Sequence, residues 1–324
     1  MISRLSQLAR HISRPSASRV CASVGSPSSF GGAATRIMAS APINESKART
    51  IHTAACLIIG DEVLGGKTVD TNSAFMAKWC FSLGVNLKRV ETIEDDEDEI
   101  IEAVRRMSAR YDFVVTSGGI GPTHDDITYQ SIAKAFGLPL ELHAEAYEKM
   151  KKLSKAQKPG SDFSWDVDSP TRRARLRMVE LPIDKSRNLD EQVLFPRDEL
   201  WVPVCVVNGN VHILPGVPRL FESLLEGLKP FLVDRLVDPS GEGICRVLIS
   251  TPMPESEVAG YLTDLATKVA PKGIKVGSYP RWGKKNNSVT LVGRDKEYLE
   301  SLVPEVLVNV RGKRISVEGE HDDD

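Results

Sequence analysis

The sequence predicts an α/β protein in which a mostly parallel sheet is covered by helices on both faces and followed by a smaller α+β module. Three observations carry this. Short apolar runs rich in β-branched residues recur near 54–59, 85–93 and 111–116, as strands buried on both faces require. Helical patterns of apolar residues alternate with them, and strand–helix alternation implies parallel strands joined by crossovers. A turn-rich break, Asp238-Pro239-Ser240-Gly241-Glu242-Gly243, separates this series from a second set of strands and helices.

Taken in order, 54–59 is the first strand and Gly60-Asp61-Glu62 its exit loop. A helix is expected from Asn72 to Leu83, its apolar residues Phe75, Met76, Trp79, Cys80 and Leu83 spread over a wide face and Gly84 ending it. After the strand at 85–93, the acidic run Glu94-Asp95-Asp96-Glu97-Asp98-Glu99 opens a helix with Ile100, Ile101, Val104 and Met107 on one face. Acidic residues at that end favour the helix dipole. The third strand, 111–116, leads into Ser117-Gly118-Gly119-Ile120-Gly121-Pro122-Thr123-His124-Asp125-Asp126, and Asp125 or Asp126 is expected to cap the next helix, from Ile127 to about Gly137. The pattern weakens between 155 and 200. There Arg172, Arg173, Arg175 and Arg177 form either a solvated helix face or a phosphate clamp. Asn208-Gly209-Asn210 between 201–207 and 211–214 signals a hairpin. A helix from 219 to 236 follows, with Pro218 suited to its first turn. The module reads as strand 244–250, helix 255–269, strands 274–278 and 288–292, and helix 296–309.

The glycine loop at 118–121 carries the chemistry. Gly118, Gly119 and Gly121 let backbone N–H groups approach a ligand closely, beside a helix N-terminus that favours anions. The adjacent carboxylates of Asp125 and Asp126 suit a divalent cation shared with phosphate oxygens. His124 is a candidate proton shuttle, or a residue that merely packs or caps. Ligands of parallel sheets bind at the carboxyl ends of the strands, where the loops at Gly60 and Ser117 both lie. Asp61 and Glu62 could therefore add a metal ligand or hold a ribose. Thr71, Asn72 and Ser73, at a helix N-terminus, could contact a second phosphate or a ribose.

The string Ser117 to Thr128, ending His124-Asp125-Asp126-Ile127-Thr128, resembles the signature of the MoaB/Mog (molybdopterin-binding) superfamily. More closely it is similar to the branch of CinA-type proteins and FAD synthase N-terminal domains. Gly60-Asp61-Glu62-Val63-Leu64-Gly65-Gly66-Lys67-Thr68-Val69-Asp70-Thr71-Asn72-Ser73, Leu214-Pro215-Gly216-Val217-Pro218 and Gly277-Ser278-Tyr279-Pro280 match in the same order. The resemblance implies a three-layer α/β/α MoaB/Mog-like domain over 53–237 and a small KH-like module over 243–318. It also implies metal-dependent hydrolysis of a nucleotide diphosphate such as FAD or ADP-ribose, with Mg, Mn or Co as the divalent metal, together with potassium. Asp126 matches the superfamily's functional aspartate, Asp95 falls where Mog-type proteins carry a second carboxylate, and Gly216 joins the substrate-binding set. The expected metal ligands are Asp95, Asp125 and Asp126. Relatives of this kind form dimers or trimers, so a homo-oligomer is expected. Neither a CinA-type deamidase domain nor an adenylyltransferase domain is present, so FAD synthesis is not expected. The branch's Gly-x-Ala-Pro-Gly loop before the hairpin is missing between Asn188 and Pro203. Two alternatives stay open, a molybdopterin adenylyltransferase and a catalytically silent nucleotide- or pterin-binding protein.

Composition narrows the partners. No apolar run is long enough to span a bilayer, and five scattered cysteines without a C-x-x-C pair argue for a reducing compartment. Residues 1–44 hold five arginines, many serines and no acid, the composition of a mitochondrial targeting segment or of a basic tail. A matrix location is expected, with Met38 as an internal start for a cytosolic form. Beyond residue 44, 37 basic residues face 44 acidic ones, an acidic balance that argues against nucleic acid. The module lacks a G-x-x-G loop, so RNA is not expected there. Residues 319–324 form an acidic tail.

Overall fold

The computed structural model describes residues 50–154, 163–239, 243–281 and 283–317. The expected targeting segment, the alternative start at Met38 and the acidic tail lie outside the described residues. Among those described, no helix is long and apolar enough to cross a membrane.

The strands of the first part are β1 (Thr53–Ile59), β2 (Asn86–Ile93), β3 (Phe113–Ser117), β4 (Leu140–Leu142), β5 (Glu180–Pro182), β6 (Val193–Leu194), β7 (Val204–Val207) and β8 (Val211–Leu214). Six of them form one sheet in the order β2-β1-β3-β8-β7-β6. β2, β1, β3 and β8 run parallel, and β7 and β6 add antiparallel strands at one edge. The hairpin turn takes positive φ at Asn208 (51°) and Gly209 (71°), the backbone that twists with its strands.

The helices are α1 (Asp61–Leu64), α2 (Asn72–Ser82), α3 (Glu97–Arg110), α4 (Thr128–Phe136), α5 (Ala144–Leu153), α6 (Pro170–Arg177), α7 (Pro218–Gly227) and α8 (Lys229–Leu232). Alternate residues of β1 split between two cores. Ala54, Cys56 and Ile58 pack with Met76, Trp79, Phe221 and Leu224 of α2 and α7. Ala55, Leu57 and Ile59 pack with Ile100, Val104, Met107, Tyr129 and Ile132 of α3 and α4. A strand side chain period of two thus builds three layers. Cys56, Cys80 and Cys205 are buried, unpaired fillers of these cores. Burial pushes the Cys80 thiol up to about 12, so it is inert.

Three local expectations are corrected. The helix expected over 219–236 is broken after Gly227, where Pro230 starts a new turn, and position 227 is itself glycine because a side chain there would meet Pro196 (Cβ to Cβ 2.7 Å). Residues 61–64 form a helical turn rather than an open loop. Helix α4 has Ile127 at its N-cap with no side-chain cap, since the Asp126 carboxylate turns back to Thr123. Its C-terminus is as expected, with Gly137 left-handed (φ 67°).

The module contains β9 (Cys245–Thr251), α9 (Glu255–Val269), β10 (Lys275–Tyr279), β11 (Asn287–Gly293), α10 (Lys296–Asn309) and β12 (Lys313–Ile315). Its antiparallel sheet has the order β10-β11-β9-β12. With the β-α-β-β-α-β connectivity this α+β module has the split βαβ arrangement. Val247, Ile249, Val289 and Leu291 bury one sheet face against Val258, Leu265, Leu299 and Val306.

Candidate functional site

A cleft of about 550 Å³ opens at the carboxyl ends of β1, β3 and β8, a volume suited to a nucleotide-sized ligand. Its floor is main chain. Gly118 has φ 115°, and a Cβ there would lie 2.1 Å from the Ile59 carbonyl oxygen, so only glycine allows β3 to turn this close to β1. A Cβ on Gly216 would lie 3.2 Å from the Gly118 Cα, which brings the loops after β3 and β8 into backbone contact.

Buried side chains lock this floor. Asn72 Nδ2 donates to Ser117 Oγ and to the Gly216 carbonyl, both at 2.9 Å. Thr128 Oγ1 donates to the Gly118 carbonyl at 2.9 Å, and the Thr128 amide donates to that of Gly119 at 2.9 Å. The Gly118 amide is consumed by the Leu214 carbonyl at 3.2 Å, which corrects its expected role as a phosphate donor. The Gly119 and Gly121 amides donate to no acceptor among the described residues, so they remain available to an anion.

The acids ring the cleft. Glu62, Asp95, Asp125 and Asp126 all line it. Asp126 Oδ2 accepts from the Thr123 amide at 2.8 Å and from the Thr123 hydroxyl. Gly121 makes room for that carboxylate, which would stand 2.5 Å from a Cβ. Asp95 Oδ2 accepts from the Asp61 amide at 3.0 Å. Desolvation, and then the charges of Asp61, Glu62 and Asp125, raise its carboxyl above the ordinary range. The opposite wall is apolar, built from Met178, Trp201, Val202 and Leu220.

The structure thus gathers Glu62, Asp95, Gly118, Gly119, Gly121, Asp125, Asp126 and Gly216 around one cleft. Other expectations move. Asp61 stands behind Asp95 rather than on the lining. Thr71, Asn72 and Ser73 are off the lining, because Asp70 takes the Ser73 amide and Asn72 is turned into the floor. His124 points to solvent, its side chain 98% exposed and 3.8 Å from Asp125. Among the described residues, no three acidic, His or Cys side chains close into a ready metal cluster, so Asp95, Asp125 and Asp126 share a rim without forming a finished coordination sphere.

Arg177 was not singled out within the basic cluster. Its guanidinium donates to the carbonyls of Thr123 and Asp126, both at 2.9 Å, and clamps the acid-bearing loop from behind. The others have local partners. Arg173 pairs with Asp168, Arg172 donates to the Trp165 carbonyl at 2.7 Å, and Arg175 lies 4.2 Å over the Phe163 ring. Trp201 and Val202 were expected within a strand. The strand starts only at Val204, which leaves both free to line the cleft.

A family model described as "Probable molybdopterin binding domain" matches residues 55–234. The chain belongs to this family. A "Probable FAD synthase" of Caenorhabditis elegans is 32% identical over 262 residues, covering 78% of this chain and 48% of that protein. A "CinA-like protein" of Anaeromyxobacter dehalogenans is 28% identical over 278 residues, covering 81% of this chain and 60% of its own. This chain therefore spans about half the length of the FAD synthase relative. A solved CinA protein of unknown function from Thermoplasma acidophilum aligns over 56% of this chain and 98% of its own, at 31% identity and a TM-score of 0.45. The fold is that of the MoaB/Mog superfamily, CinA-type branch, with an added sheet module at the C-terminal end.

Proposed function

We propose that this chain hydrolyses the pyrophosphate bond of an adenine dinucleotide-type substrate, FAD or ADP-ribose, to AMP and a phosphorylated remainder. One observation carries the reading. The open amides of Gly119 and Gly121 meet Glu62, Asp95, Asp125 and Asp126 in a single cleft with an apolar wall. The amides suit phosphate oxygens, and Trp201 and Met178 suit a flat ring. In the reaction a water oxygen bonds to one phosphorus, the bridging P–O bond breaks, and the bridge oxygen leaves on the other phosphate. Asp125 or Asp126 takes the water's proton.

The carboxylates fit a divalent cation in charge and donor type, since Asp95, raised first by desolvation and then by the charges of Asp61, Glu62 and Asp125, sits among like charges that a cation would neutralise. Asp95, Asp125 and Asp126 would hold Mg, Mn or Co together with substrate oxygens. The ion would neutralise phosphate charge. Potassium and self-association into a dimer or trimer belong to the same proposal, as does a mitochondrial address in residues 1–44. The relatives named probable FAD synthase and CinA-like support a nucleotide-related role.

The test is AMP release from FAD and ADP-ribose by the full chain, with each metal and potassium, beside Asp126→Asn. Turnover that falls at least about 100-fold in the variant is expected; unchanged turnover would sink the reading. The family description favours a second reading, AMP transfer to molybdopterin. AMP transfer from ATP to the pterin, without dinucleotide hydrolysis, would establish it.

A further inference from the structure

A second cavity, of about 450 Å³, lies at the other end of the first sheet. One wall is the end of α2 and the start of β2, with Ala77, Phe81, Asn86 and Leu87. The other is the module's uncovered sheet face, with Arg246, Lys275, Gly277, Tyr279 and Thr290. It shares no lining residue with the cleft above. The strand starts of a parallel sheet are not where its own ligands sit, so this cavity is not an annex of the first.

Its charge is one-sided. No carboxylate lines it, and neither Arg246 nor Lys275 has an ion pair among the described residues. The Arg246 guanidinium lies 4.4 Å above the Phe81 ring, which holds it extended across the gap. Arg294 donates to the Gly84 carbonyl and ties the module to the turn after α2. Tyr279 is 53% exposed. Its ring lies over Gly277, where a Cβ would come within 3.0 Å of it and of Thr290 Oγ1. The first and third residues of the Gly277-Ser278-Tyr279-Pro280 string are thus accounted for only in part by packing, since Tyr279 is left open to solvent. Two unpaired cations, an open aromatic face and apolar flanks from Leu87 and Val292 are the requirements of a ligand that carries both phosphate and a flat ring.

We propose that this cavity is a second binding site for a mononucleotide-type ligand, its phosphate held by Arg246 and Lys275 and its ring packed on Tyr279. The site stands independently of the activity proposed for the first cleft. The probe is AMP, titrated by calorimetry into the full chain, its Asp126→Asn variant, the double variant Arg246→Ser, Lys275→Ser, and Tyr279→Ala. The expected result is a binding component that persists in Asp126→Asn, weakens at least tenfold in the double variant and at least threefold in Tyr279→Ala. Tyr279→Ala alters an exposed ring and keeps the test decisive if the double variant does not fold. AMP binding unchanged in these variants, or lost only in Asp126→Asn, would overturn the proposal.

Discussion

His212 makes the stability of this fold pH-dependent in a calculable way. The residue is 1% exposed, its ring tilted against that of Phe113 with centroids 4.5 Å apart and bonded through Nδ1 to the Asn210 carbonyl at 3.1 Å. A carbonyl only accepts, so the single proton of the neutral ring sits on Nδ1. Desolvation, and then the nearby charge of Arg235, push its pKa down to about 3. The unfolded chain takes up that proton near pH 6.5. The folded state binds it less tightly, so the stability is complete above about 6.5 and is lost as pH falls from there toward 3. At about 1.4 kcal/mol per pH unit below 6.5, roughly 2 kcal/mol disappears between pH 7 and pH 5. Urea unfolding at the two values should show this loss, and His212→Leu should remove most of the difference while costing about 1 kcal/mol at pH 7 for the lost hydrogen bond. His143, also held below its ordinary pKa by burial, titrates in the same direction and leaves a smaller residual slope. A variant with the full pH dependence of the parent would refute the assignment to His212.

Gly118→Ala should destabilise the chain by about 2 kcal/mol or more, because the methyl group meets the Ile59 carbonyl at a forbidden φ. Gly137→Ala, also left-handed but with nothing within 4 Å of the new methyl, should cost only about 1 kcal/mol in the same thermal unfolding series. Arg177→Met removes two charged hydrogen bonds from the acid-bearing loop, and should speed amide hydrogen exchange across residues 119–126 and lower AMP release about 30-fold or more. Unchanged exchange would remove Arg177 from its positioning role. Asp95→Asn keeps an acceptor for the Asp61 amide and mimics the protonated form that the neighbouring acids favour. Stability at pH 7 should hold or rise by less than about 1 kcal/mol, since the site is half open to solvent, while metal-dependent turnover falls.

Much of this architecture can be read from the chain, because its local signals agree with its tertiary ones. Gly84 and Gly137 end helices where the spacing puts them, and Asn208-Gly209 forms the hairpin it announces. The failures have tertiary causes. Nothing within 219–236 reveals that Gly227 must pass beside Pro196, a residue from a different segment. The short strands β4, β5 and β6 exist through pairing rather than propensity, and β12 was missed for the same reason. In the site, residue types and loops were legible, but the use of each polar group was not. Asn72 looks like a ligand contact from its helix position, and becomes a floor strut only once Gly216 arrives from 144 residues away. Arg177 differs from its neighbouring arginines only in what lies opposite it.

A cleft floor made of peptide groups divides the site into parts that respond differently to selection. Gly118 and Gly216 touch through main chain, so exchanging a side chain there alters the fold before it alters a preference. Met178, Trp201 and Leu220 hang from other segments and, although Met178 and Trp201 also pack in part against the cores, all three are only half-buried and face the space that a ligand would fill. Randomising those three positions should therefore redistribute preference among dinucleotides at a smaller cost in stability than the same effort spent at the glycines, whereas Val202, buried in the core, belongs with the floor. The wall, more than the floor, is where this scaffold can be taught a new substrate.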